Sequence, residues 1–320
     1  MPRFAAWIFS VSMMASAGTG VLAQNFPNKP IRLVTAEPGG NADFVSRVLA
    51  QGLSASLGQQ VVVDNRGGSG VIQAETVSNA APDGYTLLSI ASPFWLAPLL
   101  QANLRYDPVR DFSPVTLATR SPSVLVVHAS LPVNSVRELI ALAKTRPGNL
   151  NYGSGPSGAS SHLAPELFKS MAGIDIVRVA YKGTGPALNA LIADQVQLMF
   201  ASPALAMPHV KSGRLRAVAV TSAQPTALAP GLPAIAASGL PGYEVVSSQA
   251  VFAPAGTPAS IINRLNSEIV RVLNGADIKE KFFNLGVETV GDSPQECAAA
   301  IKAEMAKMGK LIKKTGIHGQ

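Results

Sequence analysis

The sequence predicts an α/β protein of two lobes joined by two crossings of the chain. Three observations carry this. Short apolar runs alternate with amphipathic helical segments from Ile31 to Ile90. The alternation restarts at Ser123 and continues to Thr221. After a Pro/Ala/Gly-rich stretch the chain closes on helices with almost no strands, a segment that cannot build its own sheet and must pack back on the first lobe.

Taken in order, Ile31 to Val34 is a short strand, and a Pro-Gly-Gly loop leads to an amphipathic helix ending at Leu57. Val61 to Val63 is the next strand, Gly67 to Gly70 opens a helix over 71–80, and Tyr85 to Ile90 is strand again. This β-α-β-α-β order argues a mostly parallel sheet. In the second half, Ser123 to His128 is a strongly apolar strand. A helix over 135–145 follows, with Ser135 as N-cap and Glu138 three residues on, the pattern of a capping box. Leu150 to Tyr152, Ile176 to Ala180, Val196 to Phe200 and Leu215 to Thr221 read as strands, with helices over 160–171 and 186–193. Val245 to Ala253 is strand-like, and helices over 258–273, 276–284 and 294–313 close the chain. The crossings fall near 121–127 and 245–253. Residues 24–121 with 250–320 then form lobe 1 and residues 122–249 form lobe 2, with a cleft between them where ligands commonly bind.

At the N-terminus Arg3 precedes an apolar run from Phe4 to Met14, and small residues lead to Val21-Leu22-Ala23 before Gln24. That order is a secretory signal peptide over 1–23, with cleavage expected after Ala23. Ala17 to Gly20 interrupt the run, which is short for a membrane span; an uncleaved anchor or a buried helix is the alternative. No Cys stands at the cleavage point, which argues against a lipoprotein anchor. The mature protein is expected to be soluble and exported to a bacterial periplasm.

The formal charge is +7, yet the Lys and Arg are scattered, so no nucleic-acid partner is expected. Only Lys307, Lys310, Lys313 and Lys314 cluster, on the polar face of the last helical pattern. A mildly positive surface suits attraction of anionic solutes. The single cysteine, Cys297, excludes an intramolecular disulfide and sits on an apolar face with Ala298 and Ile301, as a core residue does.

Three strand-to-helix loops could carry chemistry. Pro38-Gly39-Gly40-Asn41 precedes a helix whose first-turn amides and partial positive charge make an anion cradle; an ordinary βα turn is the alternative. Gly153 to His162 offers three glycines and four serines, many N–H and O–H donors without charge. Charge-assisted hydrogen bonds contribute about 1.5–3 kcal/mol each, so three or four support micromolar binding after association costs. Tyr181-Lys182-Gly183 precedes a helix with Pro186 in its first turn, and Lys182 either supplies a cation or points to water. Gly67-Gly68-Ser69-Gly70 fails the dinucleotide spacing at Gln73 and reads as a structural turn.

Catalytic signals are thin. There is no G-x-S-x-G elbow, and His128, His162, His209 and His318 lack metal-ligand spacing. His162 alone lies near a candidate loop, in a capping or hydrogen-bonding role. No catalytic residue, metal or cofactor is assigned.

In order and spacing, these segments resemble the Bug or TctC-type extracytoplasmic solute receptors of tripartite tricarboxylate transporters. The likeness runs through Pro38 to Asp43 with Arg47, Asp64 to Gly70, Pro82 to Leu88, Tyr106 to Phe112, Gly153 to Lys169, Tyr181 to Gly183, Pro186-Ala187 and Ala253 to Pro258, nearly the whole mature chain. The resemblance implies a two-lobed periplasmic-binding-protein type II fold, the Venus flytrap, holding a carboxylate in the interlobe cleft through backbone groups and bridging waters. The residues it implies as ligand-binding are Gly39, Gly40 and Asn41, then Ser92, then Ser154, Gly155, Ser157, Gly158 and Ser160, then Tyr181, Lys182 and Gly183, with Ala201 and Ser202 at a strand end. Four positions depart from the family pattern: Ala36 and Glu37 replace an aromatic approach to the first loop, Ala190 stands for an acid, and Ser248 for a tryptophan. Glu37 either meets an amino group on the ligand or faces solvent.

The expectation is a monomeric periplasmic receptor that captures a small organic anion and hands it to membrane transporter subunits. A receptor read by a sensor kinase shares the same cleft, and an enzyme acting on a small acid is the third reading. Without a nameable nucleophile–base pair, an enzyme is not expected.

Overall fold

In the computed structural model the described residues are 26–316, except Gly39, Gly40, Gly68, Ser69 and Pro156. The signal-peptide segment 1–23, His318 and the candidate residues Gly39 and Gly40 therefore lie outside the described residues.

The first lobe is built from β1 (Ile31–Thr35), α1 (Asn41–Leu57), β2 (Val61–Asn65), α2 (Val71–Ser78), β3 (Thr86–Ala91), α3 (Pro93–Leu100) and β4 (Phe112–Pro122). The chain crosses at Ser123 into β5 (Val124–His128), α4 (Val136–Thr145), β6 (Asn151–Ser154), α5 (Ser160–Ala172), β7 (Val177–Ala180), α6 (Thr184–Ile192), β8 (Leu198–Ala201), α7 (Pro203–Lys211) and β9 (Leu215–Val220). It returns through β10 (Val246–Pro254) to α8 (Ala259–Leu273), α9 (Ala276–Asn284), β11 (Glu288–Thr289) and α10 (Pro294–Thr315). The first sheet has the order β11-β4-β10-β3-β1-β2 and the second β7-β6-β8-β5-β9. The fold is the two-lobed α/β architecture expected.

Four elements escape the sequence reading, among them the two-residue strand β11, which pairs with β4. The α3 stretch, Pro-Phe-Trp-Leu-Ala-Pro-Leu-Leu, is apolar all round and carries Pro98 inside, so it shows no helical stripe. Pro114 and Pro122 mask β4. That strand holds because β10 pairs along its whole length, with register shifts at Gln249/Ala250 and Val251/Phe252. Pro208 similarly hides α7.

The expected capping box at Ser135 is half formed. Ser135 Oγ accepts the Glu138 amide at 3.2 Å, but the Glu138 carboxylate takes the Asn134 amide at 2.7 Å. The reciprocal box is at α10, where Ser293 Oγ accepts the Glu296 amide and the Glu296 carboxylate accepts the Ser293 amide.

One hydrophobic cluster runs through both lobes. Phe94, Trp95 and Phe252 of the first lobe belong to the same buried set as Tyr152, Phe168 and Phe200 of the second. Each such side chain contributes about 1.5–3 kcal/mol by leaving water, so the shared cluster ties the two lobes together. Cys297 is fully buried in the cluster, and its thiol is raised far above the usual range by burial, as an inert core residue.

Candidate functional site

Strand register places the candidate loops at the C-terminal ends of parallel strands in both sheets. In the first sheet β1 and β3 run parallel, and the chain leaves their C-terminal ends for residues 36–41 and for Ser92. Gln249, near the start of β10, pairs with Ala91 at the end of β3, and Val246 pairs with Pro122 at the end of β4. In the second sheet β6, β7 and β8 are parallel and end at Ser154, Ala180 and Ala201. Val124, the first residue of β5, pairs with Ala201. The crossings thus leave and enter at the strand ends that carry the loops, and the two sheets face each other with those ends. Ligands of open α/β sheets bind at such C-terminal strand ends.

On the first lobe, the loop before α1 is pinned from below. Asn65 Nδ2 donates to Ala36 O at 2.6 Å and to Asp43 Oδ1 at 2.8 Å, while its Oδ1 accepts Arg47 Nη2 at 2.9 Å. Arg47 also pairs with the buried Asp43 carboxylate at 2.9 Å, so the acid near the cleft is neutralised. Beneath, Thr35, Ser46, Ser89 and Gln249 form a buried polar network. Ser46 Oγ lies 2.9 Å from both Thr35 Oγ1 and Ser89 Oγ, and Gln249 Nε2 donates to Ser89 Oγ at 2.9 Å and Ala42 O at 3.1 Å. It ties the start of α1 to β1, β3 and the returning strand β10. Such a network, fully bonded, fixes one geometry.

On the second lobe, loop 154–160 is held by the half-buried Arg178 and the buried His162. Arg178 on β7 donates from Nε to Ser154 Oγ at 2.8 Å, from Nη1 to Ser157 Oγ at 3.1 Å and from Nη2 to Gly155 O at 3.0 Å. His162 Nδ1 accepts the Gly158 amide at 3.2 Å. Burial first, and the Arg178 charge second, push His162 down to about 4, so the ring is neutral and able to accept.

This geometry redistributes the roles of the candidate residues. The amides of Gly155, Gly158, Tyr181 and Ser92 are spent inside the protein, on Ser161 Oγ, His162 Nδ1, Ser154 O and Ser248 O respectively. Donors without an acceptor among the described residues sit one step further on, in first helical turns. They are the amides of Ser160 and Ser161 at α5 and of Thr184 and Gly185 at α6. The N-cap residues Ala159, Gly183 and Ser202 provide no side-chain cap, leaving the N-termini of α5, α6 and α7 open. Asn41 is exposed as the first residue of α1, Lys182 is exposed without a partner among the described residues, and Ala201 is buried in the ladder with Val124. Arg178 and Thr184 were not legible as site residues. The one signal for Arg178 is a charge inside an otherwise apolar strand.

The lobes touch at the rim. Leu100 of α3 lies against Gly158, Gly286 lies against Ala204, and Thr226 Oγ1 donates to the Glu288 carboxylate. Among the described residues no group of His, Cys, Asp or Glu could hold a metal ion, and no helix is long and apolar enough to cross a membrane.

A family model described as the tripartite tricarboxylate transporter family receptor, TctC, matches residues 45–317. The chain belongs to this family. The Pseudomonas sp. UPF0065 protein of the tcbD-tcbE intergenic region is 37% identical over 306 residues, spanning 95% of this chain and 91% of its own length. Among solved structures, R. palustris Rpa4515 with adipate is 37% identical, with a TM-score of 0.78 over 92% of this chain and 100% of that one. MatC (Rpa3494) from Rhodopseudomonas palustris with bound malate is 29% identical, with a TM-score of 0.73 over 90% of this chain and 100% of that one.

The four positions expected to depart from the family pattern sit in different surroundings. Glu37 is exposed and faces solvent. Ala36 lends only its carbonyl, to Asn65. Ala190 is buried against the apolar cluster under α6. Ser248 is buried, and its carbonyl anchors the amide of Ser92.

Proposed function

We propose that this TctC-family protein is a periplasmic receptor, exported by its N-terminal segment, that binds a small carboxylate between its lobes and delivers it to the membrane subunits of a tripartite tricarboxylate-type transporter. The observation that supports this most directly is the set of uncommitted first-turn amides at α5 and α6, at the strand ends that face the first lobe across the crevice. Donors of this kind bind an anion without a counter-charge and let it leave again. The adipate and malate held by two relatives are of this chemical class. The lobe 1 contribution comes from 38–41 and from the Ser92 turn, and the crossings at 121–127 and 245–253 act as the hinge. Closure requires contacts with both lobes at once, because a ligand that favours neither state shifts nothing.

The test is titration calorimetry of the purified monomer lacking residues 1–23 with adipate, malate, amino acids and aromatic acids. Small-angle scattering runs in parallel. A dissociation constant in the micromolar range, about −8 kcal/mol, is expected for at least one acid, with a smaller radius of gyration on binding. No binding by any of them, with unchanged scattering, refutes the reading.

A further inference from the structure

Arg178 is built into the crevice wall in a way that neither strand pairing nor core packing requires. It sits on the edge strand β7 opposite Tyr152, half-buried, with all three guanidinium nitrogens turned to one loop. Its acceptors are two hydroxyls and a carbonyl, all neutral, and it has no carboxylate partner among the described residues. The nearby acid Glu166 is already engaged, accepting the Tyr152 hydroxyl at 2.5 Å and pairing with Lys169 at 3.5 Å. A guanidinium is always charged, so this positive charge lies behind loop 154–158 with no direct carboxylate partner among the described residues.

The hydrogen-bond direction matters as much as the charge. A serine hydroxyl has one proton and two lone pairs. Ser157 Oγ accepts from Arg178, which leaves its O–H as a donor, and that donor has no acceptor among the described residues. Ser157 is only partly buried, three residues before α5, whose N-terminus has no side-chain cap.

We propose that Arg178 is the positioning residue that makes this corner selective for an ionised carboxylate. It commits the Ser157 hydroxyl to donating toward the ligand and supplies the positive field behind it. The ligand group would therefore be a carboxylate anion rather than the matching amide. This rests on the receptor reading above and goes beyond it by naming how one corner tells charge from shape.

The experiment compares wild type, R178Q, R178K, S157A and the R178Q/S157A double variant, using adipate and its neutral diamide as probes in calorimetry, with thermal unfolding alongside. R178Q is expected to lose roughly 10- to 100-fold in adipate affinity, the range of a charge-assisted bond. Diamide binding should move by less than about threefold, so the acid-to-amide preference collapses. R178K, which keeps the charge but not the fork, should fall between. The double variant should lose less than the product of the two single losses, because both remove one donor. Equal affinity of wild type and R178Q for adipate, or equal losses for acid and diamide, overturns the proposal while leaving the receptor reading intact. A wild type that binds no carboxylate overturns both. Should R178Q fail to fold, S157A decides: unchanged adipate affinity with an unchanged melting midpoint refutes the assignment.

Discussion

Leu100 and Gly158 meet across the lobes: a Cβ built on Gly158 would lie 2.8 Å from Leu100 Cδ1. Gly158 also holds a left-handed backbone, φ +82°. The last residue of α3 is therefore seated on the one loop position that has neither side chain nor ordinary backbone. Contact between the lobes and the geometry of the candidate corner are set at the same atom.

Gly158→Ala should hurt twice. The left-handed conformation costs a residue with Cβ roughly 1–2 kcal/mol, and the methyl group pushes Leu100 away. Expected are a lower melting midpoint and adipate binding weakened on the order of tenfold, because the lobes can no longer approach. Adding Leu100→Ala should return part of the affinity, since it removes the clash but not the strain. A double variant as weak as G158A would show that the lobe contact is irrelevant.

Asn65 is expected to be worth more than a surface amide. Asn65→Ala removes donors to Ala36 O and Asp43 Oδ1 and the acceptor for Arg47. A loss of about 1–3 kcal/mol in urea unfolding is expected, with weaker ligand binding through a loosened 36–43 loop. Asn65→Asp should be worse at neutral pH, because it sets a second carboxylate beside Asp43. Wild-type stability in both variants would refute the clamp.

Trp95 Nε1 donates to Glu304 at 3.0 Å, and burial pushes that carboxyl up to about 7. Between the ordinary value of 4.5 and 7, the unfolded chain is ionised there while the folded protein holds the proton. The folded state binds more protons in that window, so this group's contribution to stability falls as pH rises. Above pH 7 the penalty is complete, on the order of a few kcal/mol. Glu304→Gln keeps an acceptor for the indole and removes the ionisation. Urea unfolding should show little difference at pH 4 and a more stable variant at pH 8. The same difference at both pH values would remove Glu304 from the account.

Ser293→Ala tests a feature remote from the crevice. Losing the capping box of α10 should cost about 1 kcal/mol of stability with unchanged adipate affinity. A large change in affinity would mean that α10 reports to the crevice through the shared core.

Helix and strand identity was legible wherever an element carries its own period. The apolar face of α8, from Ile261 and Ile262 to Leu265, Ile269 and Val272, declares itself. Elements defined by a distant partner did not. β4, with its two prolines, is a strand because β10 lies beside it, and α3 is a helix wedged into a core drawn from both lobes. The candidate loops were legible as glycine and serine corners between strands and helices. Which of their donors remain open was not, because that depends on where His162, Ser161 and Arg178 point.

The sequence by itself determined the two α/β halves, the alternation that orders them, the family likeness and the corners where an anion could be met. These are local properties: periodicity, glycine, and the start of a helix. Only the tertiary structure decided that the Gly155 and Gly158 amides are consumed by the first turn of α5, that the Arg178 guanidinium is hydrogen-bonded behind Ser157 with no carboxylate partner among the described residues, and that Leu100 closes on Gly158 from the other lobe. A hydrogen bond or a contact joins residues far apart in the chain, and no pattern within either segment records which partner the fold brings to it.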